Sequence, residues 1–111
     1  MTAEQFKARL GTPKHRFADT LAFIEQHYQY EPSGFRNGPV QNSAEQNQGS
    51  CKVLAMALDQ GLTDDQTLQC FAEHYQAVLA SPDGNEHANI RALMQHGLAG
   101  VLFERQPLTR R

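Results

Sequence analysis

Two cysteines, five histidines and a run of side-chain amides are the groups in this 111-residue chain that could do chemistry. Cys51 follows a Gly-Ser pair in "NQGSCK" and opens the apolar run "VLAMAL". A thiol in the first turn of a helix lies beside unpaired backbone N–H groups and the positive end of the helix dipole, and both lower its pKa. Lys52 adds a positive charge next door. His87 and Asn89, in "HAN", are the residue types that would supply a base and its orienting partner. Cys51, His87 and Asn89 therefore form a candidate catalytic set. The competing reading is packing. Cys51 is in phase with Leu54, Ala55 and Leu58, and free cysteine is among the most buried residue types. The balance favours the core.

Proteases of the papain type carry C-G-S-C-W around their nucleophile. Here Gln48 replaces the first cysteine and Lys52 the aromatic, and the chain ends too soon after Cys51 for a His and an Asn at papain distances. Cys70 lies off the apolar stripe of its helix, with His74 four residues on. That pair offers two metal ligands where zinc takes three or four. His15, His27, His74, His87 and His96 show no H-x-H or H-E-x-x-H spacing. Neighbours such as Glu73-His74 and Glu86-His87 point about 100° apart on a helix. No metal and no cofactor is expected. Both thiols are expected to be free rather than bridged.

The amide-rich stretch is a different kind of candidate. Asn37, Asn42, Glu45, Asn47, Gln48 and Ser50 bring amide, carboxylate and hydroxyl groups into one segment, suited to a polar small molecule or a peptide backbone. Backbone N–H groups from Ser50 to Lys52 could take an anion at a helix N-terminus. Arg36 and Arg91 are candidate partners for a carboxylate or phosphate. The candidate binding surface thus comprises Arg36, Asn37, Asn42, Glu45, Asn47, Ser50 and Lys52, with His87, Asn89 and Arg91 from "HANIR". The bland alternative is that these amides satisfy the loop's own backbone.

The elements that must position these groups are mostly helical. Phe6 and Leu10 mark a short first helix ended by Gly11. Thr12-Pro13 predicts the start of a second over 13–28, with Phe17, Leu21, Ile24 and Tyr28 on one face. Residues 31–49 are broken by Pro32, Gly34, Gly38 and Pro39, and Asn37-Gly38 predicts a tight type I′ turn. Ser50 is the expected N-cap of a helix ending at Gly61. Thr63 and Gln66 make a capping box for a helix whose stripe is Leu68, Phe71, Ala72, Tyr75, Val78 and Leu79. Asp83 or Glu86 caps the last helix, with Ile90, Leu93 and Met94 facing inward. "LAGVLFE" predicts a short strand pairing near Phe35, and "RQPLTRR" a frayed end. The expected fold is one mostly helical α+β domain over 1–111: four or five helices, a long polar loop and a small two-stranded sheet.

Hydrophobic residues make up 40% and net charge is −2, with pI about 6.2 and mean hydropathy −0.58. One domain of this length can close a core. The charge gives no general pull toward nucleic acid or anionic membrane, and the basic clusters at Lys7–Arg16 and Arg105–Arg111 carry no reader motif. No apolar run reaches the roughly 18 residues of a membrane span. The N-terminus lacks the apolar core of a secretory signal. The expectation is a cytoplasmic protein, monomeric or weakly dimeric, whose partner is an unknown protein or a polar small molecule.

Together, "FRNGPVQNSAEQNQGSCKVLAMAL", "LTDDQTLQCFAEHYQAVLASPDGNEHANIRALMQHG" and "GLAGVLFE" resemble the HopJ type III effector protein family, most strongly over residues 20–103. That resemblance implies a destination rather than a reaction. The family is named after effectors that plant-pathogenic pseudomonads inject into host cells, and no biochemical activity is settled for it. Injected proteins usually begin with a flexible, Ser-rich, acid-poor stretch. Here the first serine is Ser33, and residues 2–10 read as a helix with Glu4 at its start, which argues against export. Three readings stand: a binding protein acting through residues 35–52 and 87–91, an enzyme using Cys51 and His87, and a secreted effector acting in a host cell.

Overall fold

The computed structural model describes all of residues 1–111. Helix α1 (Ala3–Arg9) is fixed by a reciprocal capping box between Thr2 and Gln5 and buries Phe6. Helix α2 (Phe17–His27) starts four residues later than Thr12-Pro13 suggests. The Thr12 hydroxyl instead donates to the Arg9 carbonyl at 2.7 Å, closing the end of α1. His15 turns inward, and the Asp19 carboxylate takes the Arg16 N–H at 2.9 Å. The first helical turn therefore forms at Phe17.

From α2 the chain runs straight into β1 (Tyr28–Tyr30). Strands β2 (Phe35–Asn37) and β3 (Val40–Asn42) form a hairpin, and β2 also pairs with β4 (Val101–Phe103), Phe35 opposite Phe103. That pairing was legible. The turn type was not. The two loop residues are Gly38 and Pro39, only Gly38 has positive φ (57°), and Pro39 cannot supply the second positive φ that type I′ needs. The C-terminus is not frayed. β5 (Leu108–Arg110) pairs antiparallel with β1, Leu108 enters the core, and the Arg111 N–H donates to the His27 carbonyl at 3.0 Å. The molecule therefore has two small sheets, β1–β5 and β3–β2–β4, in place of one two-stranded patch.

Helix α3 (Gln48–Gln60) is the central element. Cys51 and the whole run Val53–Ala57 are buried, so it packs on more than one face. Leu58, expected inward, is 45% exposed. Gly61 at φ 67° closes the helix in the left-handed conformation. Thr63 and Gln66 do form the expected capping box, but the helix they start is short. In place of one helix from 64 to 79 there are α4 (Asp64–Cys70) and α5 (Glu73–Ala80), separated by Phe71 and Ala72. Ala72 sits at φ 49°, ψ −117°, a backbone conformation alanine rarely adopts. The break lets Phe71 drop into the core and stack on Phe17 at 5.9 Å. It also rotates Cys70 fully inside, against the off-stripe reading. Helix α6 (Ala88–His96) buries Ile90 and Leu93 but exposes Met94, and its N-cap is His87 rather than Asp83 or Glu86. There are thus six α-helices, one more than the upper expectation, plus a 3-10 turn at Leu98–Gly100. No helix is long and apolar enough to cross a membrane.

Candidate functional site

Helices α3 and α6 begin side by side, and a cleft of about 210 Å³ lies at their N-termini. Both helices start from a residue in the left-handed conformation: Asn47 at φ 51°, in place of the expected Ser50 cap, and His87 at φ 56°. Neither side chain caps its own helix. The first helical bonds are donated by Cys51 to the Asn47 carbonyl and by Ile90 to the His87 carbonyl. The backbone N–H groups of Gln48, Gly49 and Ser50 on α3, and of Ala88 and Asn89 on α6, make no bond within the protein. Such donors, with the positive ends of two helix dipoles, suit a negatively charged or strongly accepting group.

The side chains around these donors are the two imidazoles of His74 and His87, with ring centroids 5.2 Å apart, over a wall of Phe17 and Phe71. The Phe17 ring meets His74 edge-on at 4.8 Å. His74, Phe17 and Phe71 were not among the predicted site residues. His74 read as the i+4 neighbour of Cys70, and the break at Ala72 is what turns it toward His87. Nothing in the periodicity signals that break.

Beneath the cleft the amides converge. Asn89 is buried at the first turn of α6, and its Oδ1 accepts from Asn37 Nδ2 and from Asn42 Nδ2, both at 3.2 Å. Its Nδ2 donates to Asn42 Oδ1 at 3.0 Å, and Asn37 Nδ2 also reaches the Asn89 carbonyl at 2.8 Å. Asn47 Nδ2 donates to the same Asn42 Oδ1 at 2.7 Å. Four asparagines from two strands and two helix starts thus form one lattice. It locks the β2–β3 hairpin against α6 and orients the residue that launches α3. In this lattice the amides serve structure. Ser50 remains at the cleft.

The other candidate residues lie elsewhere. Arg91 donates to the carbonyls of Ser81, Pro82 and Glu86 and pairs with the Glu86 carboxylate at 2.9 Å, so its guanidinium clamps the 81–86 turn. Arg36 alternates with Asn37 along β2 and faces solvent. Glu45 is exposed. The Lys52 ammonium sits over the Tyr30 ring at 4.7 Å.

Cys51 is 1% exposed and is flanked by the Ser33 carbonyl, to which Sγ donates at 3.8 Å, and by Tyr30. Burial pushes its thiol pKa up, and this outweighs the lowering effects of Tyr30, the Ser33 carbonyl and Lys52. No imidazole is among these partners. Cys70 is fully buried, its pKa pushed up to about 12. Both thiols have the microenvironment of inert core cysteines.

The profile of one protein family, described as HopJ type III effector protein, matches residues 3–108. A crystal structure described as that of the unknown function protein VPA0580 superposes with a TM-score of 0.93. It is 40% identical in sequence, and the alignment covers 100% of this chain and 95% of that one. Among curated proteins no match is found.

Proposed function

The chain belongs to the HopJ type III effector protein family, and on that premise we propose that it is a binding module whose cleft between α3 and α6 takes an anionic group. The observation that carries this reading is the pair of uncapped helix starts whose residues Gly49, Ser50, Ala88 and Asn89, with N–H groups unbonded within the protein, line one cleft beside two imidazoles. Small-molecule sites usually enclose roughly 300–1,000 Å³. At about 210 Å³ this cleft fits a phosphate, a carboxylate or the charged end of a longer partner. The asparagine lattice holds the two helix starts in place before a ligand arrives, which keeps the ordering cost of binding low.

Titration of the ¹⁵N-labelled protein with inorganic phosphate tests the proposal. Saturable shifts of the Gly49, Ser50, Ala88 and Asn89 amides are the expected result. Shifts confined to scattered surface lysines and arginines would overturn it. The thiol-enzyme alternative has its own readout. With Cys70→Ser in place, alkylation of Cys51 is expected to be slow and to accelerate only on unfolding, as burial requires.

A further inference from the structure

Leu102 is 61% exposed, more than any other large apolar residue of the chain, and it sits at the middle of β4, an outer strand of its sheet. Hydrogen-bonded and non-hydrogen-bonded pairs alternate along an antiparallel ladder. The Gly38 N–H donates to the Gly100 carbonyl and the Glu104 N–H to the Gly34 carbonyl, both at 3.0 Å. Leu102 and Arg36, midway between those pairs, therefore bond to each other. The N–H and C=O of Phe103 and the C=O of Val101 point the other way, to the open edge, while the Val101 N–H is taken by the Leu98 carbonyl. The other edges are guarded. Pro39 and the exposed Gln41 mark β3, Glu31 and Pro32 follow β1, Pro107 precedes β5 and Arg110 lies on it. Prolines, charges and polar groups of this kind discourage an edge from pairing with another chain. Within β4 there is none.

We propose that β4 pairs antiparallel with β4 of a second copy of this chain, about a two-fold axis at Leu102, joining two β3–β2–β4 sheets into one of six strands. The register follows from the ladder. Leu102 opposite Leu102 of the second copy is a non-hydrogen-bonded pair, the kind whose side chains come closest. Phe103 then lies opposite Val101 of the second copy, and each copy donates one N–H, from Phe103, to the free Val101 carbonyl of the other. Every cross-strand pair is apolar. Charge complementarity fits the same axis. Arg36 and Glu104 line one shallow groove with Leu102, and neither takes part in an ion pair within the chain. The Glu104 carboxylate lies over Gly34, where a Cβ would come within 2.6 Å of Oε2, which leaves the Arg36 guanidinium open. The two-fold sets Arg36 of each copy diagonally from Glu104 of the other, with Cα atoms roughly 12 Å apart by strand spacing and rise, a span the two long side chains cover between them. Such an interface is isologous and closes on itself. Three-residue strands bury far less than the roughly 1,200 Å² of a stable interface, so the dimer is weak and forms at high concentration.

Sedimentation equilibrium of the full chain from micromolar to millimolar concentration, with amide exchange measured over the same range, tests this directly. The average mass should climb from that of the monomer toward twice that value. Exchange at Phe103 should slow as concentration rises, while exchange at Gln41, on the opposite edge of the sheet, stays constant. Leu102→Lys places a charge on the edge without touching the core, and should hold the monomer mass throughout. Arg36→Glu and Glu104→Arg should each weaken association, and the double variant R36E/E104R should restore it. A monomer mass up to millimolar concentration, Phe103 exchange independent of concentration, a dimer that survives L102K, or a double variant no better than the singles would each overturn the proposal. A dimer formed through another face gives the second and third of these results. The wild-type exchange measurement needs no substitution and decides alone should a variant not fold.

Discussion

The β2–β3 hairpin and the β1–β5 ribbon are both small antiparallel pairs, yet they are fastened to the helices by opposite means. The hairpin is held by neutral amides: Asn37 and Asn42 against Asn89, all buried. The ribbon is held by charge. Arg110 on β5 and the Tyr28 hydroxyl on β1 converge on the Asp59 carboxylate of α3, and Gln60 donates to the same hydroxyl at 2.7 Å. A buried amide lattice is insensitive to pH and salt and costly to interrupt. A half-exposed ionic clamp is adjustable and individually weak. The rigid fastening lies under the candidate cleft and the adjustable one lies under the chain terminus, which is the arrangement a preformed binding site requires.

The strongest way to break this contrast is Asn89→Leu. The side chain keeps its approximate volume, but Asn42 Nδ2 is left with only the Val40 carbonyl at 3.5 Å, Asn42 Oδ1 keeps Asn47 as its one donor, and Asn37 retains only the bond to the Asn89 carbonyl. A buried group left nearly unpaired costs about 1–3 kcal/mol, so a loss of about 2 kcal/mol is expected in a urea titration at unchanged slope. The phosphate-dependent amide shifts at Gly49, Ser50 and Ala88 should disappear with it. A loss below about 1 kcal/mol would mean that the hairpin is docked by its apolar contacts, and the lattice would no longer distinguish the two regions.

How much of this was legible in the sequence follows the range of the forces involved. Local signals were read correctly where one turn of helix decides the outcome: the Thr63–Gln66 capping box, the Gly61 stop, the apolar phase that buries Cys51. The pairing of "VLF" with Phe35 was also read from its apolar, partly β-branched run. What failed was decided by distant contacts. No Gly or Pro marks the break at Ala72. It is imposed by Phe71 packing on Phe17, more than fifty residues away in sequence. β5 looked like a frayed tail because its pairing partner β1 is a three-residue extension of a helix. The amides of the 37–47 stretch were recognised as either structural or ligand-binding. Only the position of Asn89 at the start of α6 shows that they bond to one another. His74 entered the site through the same unseen break.

On the ribbon side, Tyr28→Phe removes a buried hydroxyl that donates to Asp59 and accepts from Gln60. Asp59 keeps Arg110 and is partly open to water, so the expected loss is about 1 kcal/mol, clearly less than for Asn89→Leu. An equal or larger loss would reverse the ranking of the two fastenings.

A pH titration sharpens the comparison further. Burial pushes the Asp59 pKa up, but the Tyr28 and Arg110 hydrogen bonds and the Arg110 charge together hold it below the ordinary carboxylate value. A carboxylate with a depressed folded-state pKa leaves the unfolded chain binding more protons as pH falls. Its contribution is therefore fully present above the unfolded value of about 3.9 and is lost as pH falls through the lower folded one. Wild type should lose more stability across this acid window than Asp59→Asn, whereas Asn89→Leu should track wild type. A parallel pH dependence in wild type and Asp59→Asn would remove Asp59 from the clamp.

The smallest expected effect is that of Arg110→Gln. The Arg110–Asp59 pair is 2.8 Å long but its side chains are 66% and 38% exposed, the regime in which water and salt screen most of the attraction. Gln can still donate to Asp59 but carries no charge, so the substitution isolates the ionic part of the clamp. The melting temperature should fall less than in Tyr28→Phe, and the difference from wild type should shrink as sodium chloride is raised from low to near-molar concentration. Amide exchange should quicken in Tyr28–Tyr30 and Leu108–Arg110 and stay unchanged in Phe35–Asn42, because the two sheets share no strand. Faster exchange in the hairpin as well would show that the ribbon and the cleft open together. The charged clamp at the C-terminus would then control access to the site that the asparagines hold rigid.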